Sequence, residues 1–366
     1  GFDSDPRYFL VYNDKLYFTA QKGGGFLFYY DYKSRPKWYV SKNGSDSNEG
    51  TDLNPFLTIQ AAIDASISGD TILVRPGTYS DNIIWHDKNL NLLSVEGPNS
   101  TTIGVDIDIR SVSASSKLSG FKIKTTSGIG PGLNINSSNL QLENLIIKDF
   151  VGVDAGGISL HSSNPTIKNT LIISNRGRNA GGLYLSNSSP TLINVTFNAN
   201  SLVDAPASNT GGAIGSWFNS KPVLINCIIW NNSPKEIQAV FEIGGSNSYG
   251  NNMTISYSDI KGGKEGIDIF SSDSLIWNAG NFSADPLFTA PGFLDFTPRW
   301  NSPVIDLGDP DLDGDGFDWK TDIDDQDPDG TQMDIGAYYF HQSPNSGNPS
   351  SLTGTFEWTW MSGEKD

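Results

Sequence analysis

The chain has 366 residues and a formal charge of −17, because 41 acidic side chains outnumber 24 basic ones. So negative a protein is repelled by nucleic acid and by anionic membranes, and no run of about 18 apolar residues is present to span a bilayer. The composition of 39 Gly, 19 Pro and 18% charged residues is typical of a turn-rich β protein, and the single cysteine, Cys227, excludes an internal disulfide framework.

The N-terminal part of the chain contains a run rich in aromatic and aliphatic side chains, residues 6–20. This run resembles one blade of a propeller-type surface repeat, and a single blade cannot bury its apolar face alone. We therefore expect residues 1–36 to be the end of a preceding β-repeat or a linker, and the chain to be a fragment of a larger secreted multidomain protein.

A short amphipathic helix is predicted next. Apolar residues recur there at helical spacing, at Ile59, Ala62, Ile63 and Ile67. Residues 70–79 then have the pattern of a strand followed by a tight turn. A helix at this point would cover the N-terminal edge of a parallel sheet, which would otherwise invite aggregation.

Three segments in this region carry a family resemblance: residues 38–46, 55–63 and 69–79. Together they resemble the opening of bacterial right-handed β-helix repeat proteins of the pectate-lyase-like superfold. That superfold includes lyases, hydrolases, adhesins and inert scaffolds, so the resemblance implies a fold and leaves the activity open.

Internal repeats predict the architecture of the following residues. Four similar β-branched segments each contain one aligned asparagine, at Asn144, Asn169, Asn194 and Asn226, with intervals of 25, 25 and 32 residues. Glycine pairs keep a similar period at residues 156–157, 181–182 and 211–212. Units of about 25 residues with short strands must stack to bury their apolar faces. We predict an all-β protein, a right-handed parallel β-helix of about ten coils over residues 37–290.

Alternation within the strands predicts which side chains face the interior. Phe121 and Ile123 point inward, whereas Lys122 and Lys124 point outward. Leu145 and Ile172 belong to the same interior in later coils. We interpret the aligned asparagines as structural, forming an internal ladder in which each amide hydrogen-bonds its counterpart one coil away.

The resemblance also implies what a catalytic site would need. Polysaccharide lyases of this superfold abstract a proton next to a uronate carboxylate with Lys, Arg or His, opposite calcium or Arg. The candidates are Lys124 and Lys148, on adjacent coils, and Arg176, on a nearby turn. Against catalysis, the lysine column continues as a mixed surface, and the repeats show neither an acidic cluster for a catalytic calcium nor the carboxylate pair of a glycosidase.

Two adjacent aromatic residues are candidates for ligand binding. Trp217 and Phe218 lie in the wider coil, beside an insertion around residues 202–209. Loops on a rigid scaffold often carry recognition, and flat aromatic rings suit sugar rings. The alternative interpretation is that the two rings only cover the coil.

Residues 311–322 have the spacing of a calcium loop. Carboxylates occupy positions 1, 3, 5 and 12, which are Asp311, Asp313, Asp315 and Asp322. Glycine follows at position 6, and position 7, Phe317, would supply a backbone carbonyl. This resembles the loop of EF-hand and dockerin type, with Asp in place of the usual Glu at position 12. We predict a structural calcium ion, and Asp309, Asp324, Asp325, Asp327 and Asp329 could complete its site or hold a second ion.

The C-terminal region carries further resemblances. Residues 284–288, 301–308 and 333–338 resemble the closing segment, sometimes called a choice-of-anchor domain, of large secreted β-helix proteins. We expect residues 291–340 to be a calcium-binding closing segment. Residues 341–366 are expected to be a linker and the start of a following repeat, because residues 354–363 resemble the opening of a kelch-like repeat.

Two functions are compatible with these patterns. We favour a non-catalytic extracellular module of a secreted or surface-anchored bacterial protein, acting in adhesion, carbohydrate binding or as a scaffold, and stabilised by calcium. Its partner would be a polysaccharide or a cell-surface or matrix component, and the exposed ends of a solenoid allow self-assembly. The alternative is a polysaccharide lyase or glycoside hydrolase acting on an acidic polysaccharide.

Overall fold

The computed structural model describes residues 37–125, 129–203, 211–239, 250–269 and 274–342, together with the backbone of three strands nearer the N-terminus. These three strands form an antiparallel sheet and are β1 (Pro6–Tyr12), β2 (Lys15–Ala20) and β3 (Phe26–Asp31). The expected linker and kelch-like start lie almost entirely outside the described residues, which end at residue 342.

Most of the described chain winds into a three-sided parallel β-helix. Its first side, face A, contains eight parallel strands: β7 (Ile83–His86), β10 (Ile107–Arg110), β13 (Leu133–Asn136), β16 (Ile158–His161), β19 (Leu183–Ser186), β22 (Gly211–Trp217), β25 (Lys235–Ala239) and β28 (Ile267–Ile269).

The second side, face B, contains ten parallel strands among the described residues. They are β4 (Lys37–Val40), β5 (Thr71–Val74), β8 (Asn91–Ser94), β11 (Lys117–Ser119), β14 (Gln141–Glu143), β17 (Thr166–Ile173), β20 (Thr191–Asn198), β23 (Val223–Ile225), β26 (Asn252–Ser256) and β29 (Ser274–Trp277). One strand per winding gives the ten coils that the sequence predicts, and the predicted right-handed parallel β-helix is confirmed.

The third side, face C, is formed by short strands and by the second halves of β17 and β20. The short strands are β6 (Gly77–Tyr79), β9 (Thr101–Ile103), β12 (Lys122–Lys124), β15 (Ile146–Lys148), β24 (Ile228–Trp230) and β27 (Asp259–Ile260). Two further strand pairs lie outside the three faces. They are β18 (Arg176–Gly177) with β21 (Ser201–Leu202), and β30 (Phe288–Ala290) with β31 (Asp295–Pro298).

Helical structure is limited to short segments in the described chain. The helix α1 (Ile59–Ala65) begins at Thr58, whose hydroxyl accepts a hydrogen bond from the Ala61 N–H. Ile59, Ala62 and Ile63 pack into the core, as the sequence predicts. Ile67 lies beyond the helix end and is 64% exposed, so its inclusion in the apolar face was wrong. Three 3-10 helices cover Gly263–Gly266, Pro291–Phe293 and Ile323–Asp325, and within the described residues no helix has the length and apolarity that a membrane crossing requires.

The interior is a continuous column of aliphatic and aromatic side chains. Phe121, Leu145 and Ile172 are buried within it, as alternation predicts. Lys122 and Lys124 point outward on face C, and Lys124 lies beside Lys148 in the parallel register. Each winding therefore contributes apolar area to the next, at about 25 cal/mol per Å² removed from water.

The aligned asparagines occupy the corner between faces B and C. Asn144, Asn169, Asn194 and Asn226 all have positive φ, between 48° and 54°. Asparagine tolerates this left-handed conformation better than most residues, which explains its recurrence at the corner. The predicted internal ladder through these four residues was wrong, because no hydrogen bond joins their side chains within the described chain.

An internal asparagine ladder does exist, one corner further along the chain. The Asn175 amide donates to Asn200 Oδ1 at 3.1 Å, and the Asn200 amide donates to Asn232 Oδ1 at 2.9 Å. All three side chains are buried. A second ladder of buried hydroxyls, each accepting from a backbone N–H of the preceding winding, runs through Ser138, Ser163, Ser188 and Ser220. These ladders satisfy backbone groups where strand pairing lapses.

The glycine pairs mark a place where two windings approach closely. A Cβ atom on Gly156 would lie 2.5 Å from the Arg176 backbone nitrogen, and one on Gly181 would lie 2.5 Å from the Ser201 nitrogen. Any larger side chain would push the windings apart at this corner.

The closing segment, residues 291–340, lies along face C. Ile146, Leu171 and Ile228 point outward from face C and pack against Phe296, Val304 and Ile335 of the closing segment. The Asp309 N–H donates to Asn226 Oδ1 at 2.7 Å, and the Ala337 N–H donates to Thr196 Oγ1 at 3.0 Å. The segment is therefore attached to the β-helix by both apolar packing and hydrogen bonds.

Candidate functional site

The acidic loop of the closing segment brings the proposed calcium ligands together. One carboxylate oxygen from each of Asp311, Asp313 and Asp315 lies within 4.8 Å of the others. Asp313, Asp322 and a further residue, Asp325, form a second such group. Asp313 belongs to both groups, so the two groups adjoin each other in the loop. Six to eight oxygen ligands around one ion is the arrangement that calcium prefers.

The residues of this loop fit a hard cation. Gly314 and Gly316 have φ of 77° and 92°, which lets the chain wind tightly around the carboxylates. The Phe317 N–H donates to Asp315 Oδ1 at 2.8 Å, which fixes that carboxylate. Asp325 is fully buried, and its Oδ1 accepts from the Leu312 N–H at 2.6 Å whereas its Oδ2 has no hydrogen-bond partner. A buried oxygen without a partner costs free energy that a bound cation would recover.

Sequence reasoning left Asp325 among five acidic residues that could complete the site. Burial distinguishes it from Asp322 and Asp324, which are more exposed. Desolvation and the neighbouring carboxylates of Asp313 and Asp322 raise the pKa of Asp325. Among the described residues, no basic side chain forms an ion pair with Asp325.

A second acidic group lies in the closing segment, separate from the loop at residues 311–325. Asp306, Asp327 and Asp334 place one oxygen each within 4.8 Å of one another, and Asp327 and Asp334 are buried. Burial raises the pKa of Asp327 to about 9, and Asp329 and Asp334 add to this effect. Burial also raises the pKa of Asp334 to about 7, with a further contribution from Asp306.

The lysine candidates lie on face C near its N-terminal side. Lys124 and Lys148 are register partners, and the column continues through Ile173, Asn198 and Trp230, as the sequence predicts. The Lys148 Nζ lies 3.2 Å from Asp149 Oδ2, so this lysine has a carboxylate partner. Burial lowers the pKa of the neighbouring Lys122, and the charges of Lys124 and Lys148 lower it further.

The third catalytic candidate is separate from this lysine pair. Arg176 is exposed and begins the short strand β18, where its backbone pairs with Val151. Within the described residues, no hydrogen bond or ion pair joins the Arg176 side chain to Lys124 or Lys148. The structure therefore brings the two lysines together and leaves the arginine outside their contacts.

The aromatic candidates lie on the outer side of face A, in a row along the β-helix. Ring centroids are 5.6 Å apart for His161 and Tyr184, 6.3 Å for Tyr184 and Trp217, and 6.2 Å for Trp217 and Phe218. Tyr184 is buried between its neighbours, whereas the other three rings are partly exposed. The Trp217 indole N–H is buried and has no acceptor among the described residues.

Polar groups accompany this row. Ser159 Oγ lies 3.1 Å from His161 Nε2, and Asp154 accepts from the Asn179 amide at 3.0 Å. From the sequence, His161 is interpreted as an ordinary surface histidine, and its grouping with Tyr184 and Trp217 was missed, because the three residues lie in successive windings that only the parallel pairing brings together. The matching positions of strands in successive windings are the signal that would have found them.

A second polar cluster lies further along face A. Asp108 accepts from Asn134 at 3.3 Å and contacts His86 Nε2 at 3.0 Å and Arg110 at 2.9 Å. His86, Asp108, Arg110 and Asn134 therefore give this end of face A a polar surface with paired charges.

Comparison with known proteins locates sequence similarity in the N-terminal windings. A family described as "Protein of unknown function (DUF1565)" matches residues 42–84. The uncharacterized protein YwoF of Bacillus subtilis (strain 168) is 47% identical over 45 residues, and pectate lyase L of Dickeya chrysanthemi is 44% identical over 43 residues. Each match covers 12% of this chain and only 10% of the relative's length.

Solved structures resemble a larger part of the chain at low identity. Pectate lyase Pel9A superposes with a TM-score of 0.46 and 14% identity, covering 83% of this chain and 96% of the other. A pectin methylesterase from Aspergillus niger has a TM-score of 0.44 and 13% identity, covering 69% and 88%. Because these scores are below 0.5, the fold assignment depends on the strand pairing of this chain. That pairing shows a right-handed parallel β-helix.

Proposed function

We propose that this chain is a non-catalytic, calcium-stabilised β-helix module that binds polysaccharide on face A, in a protein that acts outside the cell. The observation that carries this proposal is the row of His161, Tyr184, Trp217 and Phe218 on a rigid parallel sheet. Aromatic rings on successive windings of one face suit a linear chain of sugar rings better than a small compact ligand.

Two features around the row support a carbohydrate ligand. His161 and Asp154, which are partly exposed, place imidazole and carboxylate groups beside the rings, where they can exchange hydrogen bonds with sugar hydroxyls. Tyr184 is buried and packs against the rings of His161 and Trp217. These two rings therefore lose little side-chain entropy when a ligand binds.

Binding to soluble polysaccharides tests the proposal directly. We expect retarded migration of the protein in gels that contain one or more of a panel of neutral and uronate polysaccharides. Trp217→Ala should weaken that binding about tenfold, which corresponds to about 1.4 kcal/mol. Trp300→Ala is the matched control, because Trp300 is 65% exposed and lies in the closing segment. Equal binding by the two variants, with both folded by circular dichroism, would contradict the proposal.

A lyase acting on an acidic polysaccharide is the second candidate. The specific observation in its favour is the cluster of Lys122, Lys124 and Lys148, in which burial and like charges lower the pKa of Lys122 towards the range of a general base. Against it, Lys148 is paired with Asp149. In addition, the described repeats place no cluster of three carboxylates, such as a catalytic cation would need, beside the lysines.

Product formation distinguishes the two candidates. Incubation with uronate polysaccharides and calcium should give no increase in the ultraviolet absorbance of unsaturated products. Turnover that disappears in Lys124→Ala and Lys148→Ala, but persists in Lys168→Ala on the exposed surface of face B, would establish the lyase instead.

A further inference from the structure

We propose that Asp306, Asp327 and Asp334 form a second divalent-cation site, separate from the loop at residues 311–325, which takes a hard cation of the calcium class. One oxygen from each residue lies within 4.8 Å of the others. Three carboxylates at this separation can share one cation, with backbone or water oxygens filling the remaining positions. None of the three residues belongs to the carboxylate groups of the loop.

The hydrogen bonds around the group leave unused oxygens. Asp334 Oδ1 accepts from the Asp306 N–H at 2.7 Å, and Asp306 Oδ2 accepts from the Gln342 amide at 2.7 Å. Asp327 Oδ1 accepts weakly from the Thr331 hydroxyl at 3.3 Å. In contrast, Asp306 Oδ1 and Asp327 Oδ2 are buried and have no hydrogen-bond partner.

The burial of Asp327 is the independent evidence for a ligand. Its side chain is only 4% exposed, one of its oxygens lies within 4.8 Å of the other two carboxylates, and its Oδ2 is buried without a hydrogen-bond partner. An unpartnered carboxylate oxygen is costly to bury, and the cost falls when a cation replaces the lost water. The hydrogen bonds to Asp306 and Asp334 already hold the other two carboxylates in position.

No basic side chain compensates these three charges. Among the ion pairs in the described part of the chain, none includes a residue of the closing segment. Lys320 lies over the Trp319 ring instead, 5.6 Å from its centroid. Protons or a cation from solution are therefore what can offset the negative charge of this cluster.

The position of the site indicates what the cation would do. Asp306 and Asp334 are 28 residues apart, so a shared ion would join the two ends of the acidic stretch at residues 306–334. Asp327 and Asp334 also border a cavity of about 330 Å³ between the closing segment and the asparagine corner of the β-helix. This cavity offers a path by which the ion can enter.

Calcium stoichiometry, measured by equilibrium dialysis and elemental analysis on the full chain, tests the second site. Asp327→Asn and Asp306→Asn should each bind one ion fewer than the parent protein, because an amide keeps the shape but loses the charge. Asp313→Asn should remove the loop ion, and the double variant Asp313→Asn/Asp327→Asn should lose both. Asp259→Asn is the matched control, because Asp259 is equally buried but lies outside every acidic group.

The same number of bound ions in the parent and in Asp327→Asn would overturn the proposal and indicate a shared proton between Asp327 and Asp329. Should Asp327→Asn fail to fold, terbium luminescence provides a second test. Tyr339 borders the same cavity as Asp327 and Asp334. Tyr339→Phe should therefore reduce sensitised terbium emission without changing the calcium stoichiometry. Emission equal to that of the parent would count against an ion at this position.

Discussion

The interior of the β-helix and the closing segment are stabilised by opposite chemistry. In the windings, apolar side chains stack in a continuous column, and buried amides and hydroxyls form ladders at the corners. In the closing segment, a small apolar cluster attaches the chain to face C, and clustered aspartates occur in the same segment. The ladders of the interior satisfy one another, whereas clustered carboxylates are costly unless protons or cations offset their charges.

This contrast shows how repetition determines what stabilises each part. A 25-residue repeat brings like positions together, so an apolar or amide side chain meets a copy of itself and gains from the contact. Repeated carboxylates would repel one another in the same arrangement. Clustered aspartates are therefore confined to the region outside the windings, where an ion can bind between them.

The largest expected effect concerns the apolar column. Phe197→Ala removes a fully buried ring from the interior and should lower the free energy of unfolding by about 3 to 5 kcal/mol, because a cavity remains. The loss should be the same with calcium and with a chelator in urea unfolding. A loss that appears only in the chelator would show that the interior also depends on ions.

Asp259 is a buried carboxylate within the windings, so it tests the contrast from the other side. Burial raises its pKa from 3.8 to about 7, and the nearby Asp285 and Glu236 charges contribute. The folded state therefore holds a proton that the unfolded state releases, and this residue makes stability fall as the pH rises from about 4 to about 7.

The variant Asp259→Asn should remove that dependence and keep an acceptor for the Ala284 N–H. Relative to the parent, its free energy of unfolding should rise by about 2 to 4 kcal/mol between pH 4 and pH 8. Urea unfolding at several pH values, at one calcium concentration, measures the difference. If the free energies of unfolding of the two proteins change with pH in the same way, Asp259 is not protonated in the folded state.

Calcium removal should act on the closing segment. If calcium binds only the folded protein, a concentration 100 times the dissociation constant adds about 2.7 kcal/mol of stability. A chelator should therefore lower the melting temperature and expose residues 306–334 to proteases before the windings. Asp313→Asn should show a smaller response to the chelator, whereas the exposed Asp81→Asn should behave as the parent does.

The smallest expected effect concerns the asparagine ladder. Asn200→Ala removes the Oδ1 that accepts from the Asn175 backbone N–H and side-chain amide, and it removes one of the two donors to Asn232 Oδ1. It should cost about 1 to 3 kcal/mol. Asn82→Ala is the control, because this side chain is exposed and its φ is not positive. Equal stability of the two variants in urea would show that the ladder contributes nothing measurable.

The fold was largely predictable, and the site only in part. Two-residue alternation placed Phe121 and Leu145 inside, because the direction of a side chain in a strand is a local property. The asparagine column was recognised, but its role was mistaken for a ladder. A corner residue and a ladder residue both recur every 25 positions, so periodicity alone does not distinguish Asn169 from Asn175.

The candidate sites show the same limit. The loop at residues 311–322 could be proposed as a calcium loop from the sequence, because the spacing of its carboxylates is a local pattern. Residues 306–334 contain twelve aspartates, and the sequence could not single out Asp325 and Asp334 among them. Burial distinguishes these two residues, and burial depends on how the segment folds. His161 and Tyr184 join Trp217 only through the parallel register of three windings.

The sequence by itself determined the winding of this protein, since repeat length, strand alternation and corner residues are written into each unit and are reinforced by stacking. Only the tertiary structure decided where the closing segment lies. Its contacts with the β-helix join residues far apart in the chain, with Asp309 bound to Asn226 across 83 positions and Ala337 bound to Thr196 across 141. These partners share no repeat, so their meeting depends on the shape and charge of two surfaces that exist only once both parts have folded.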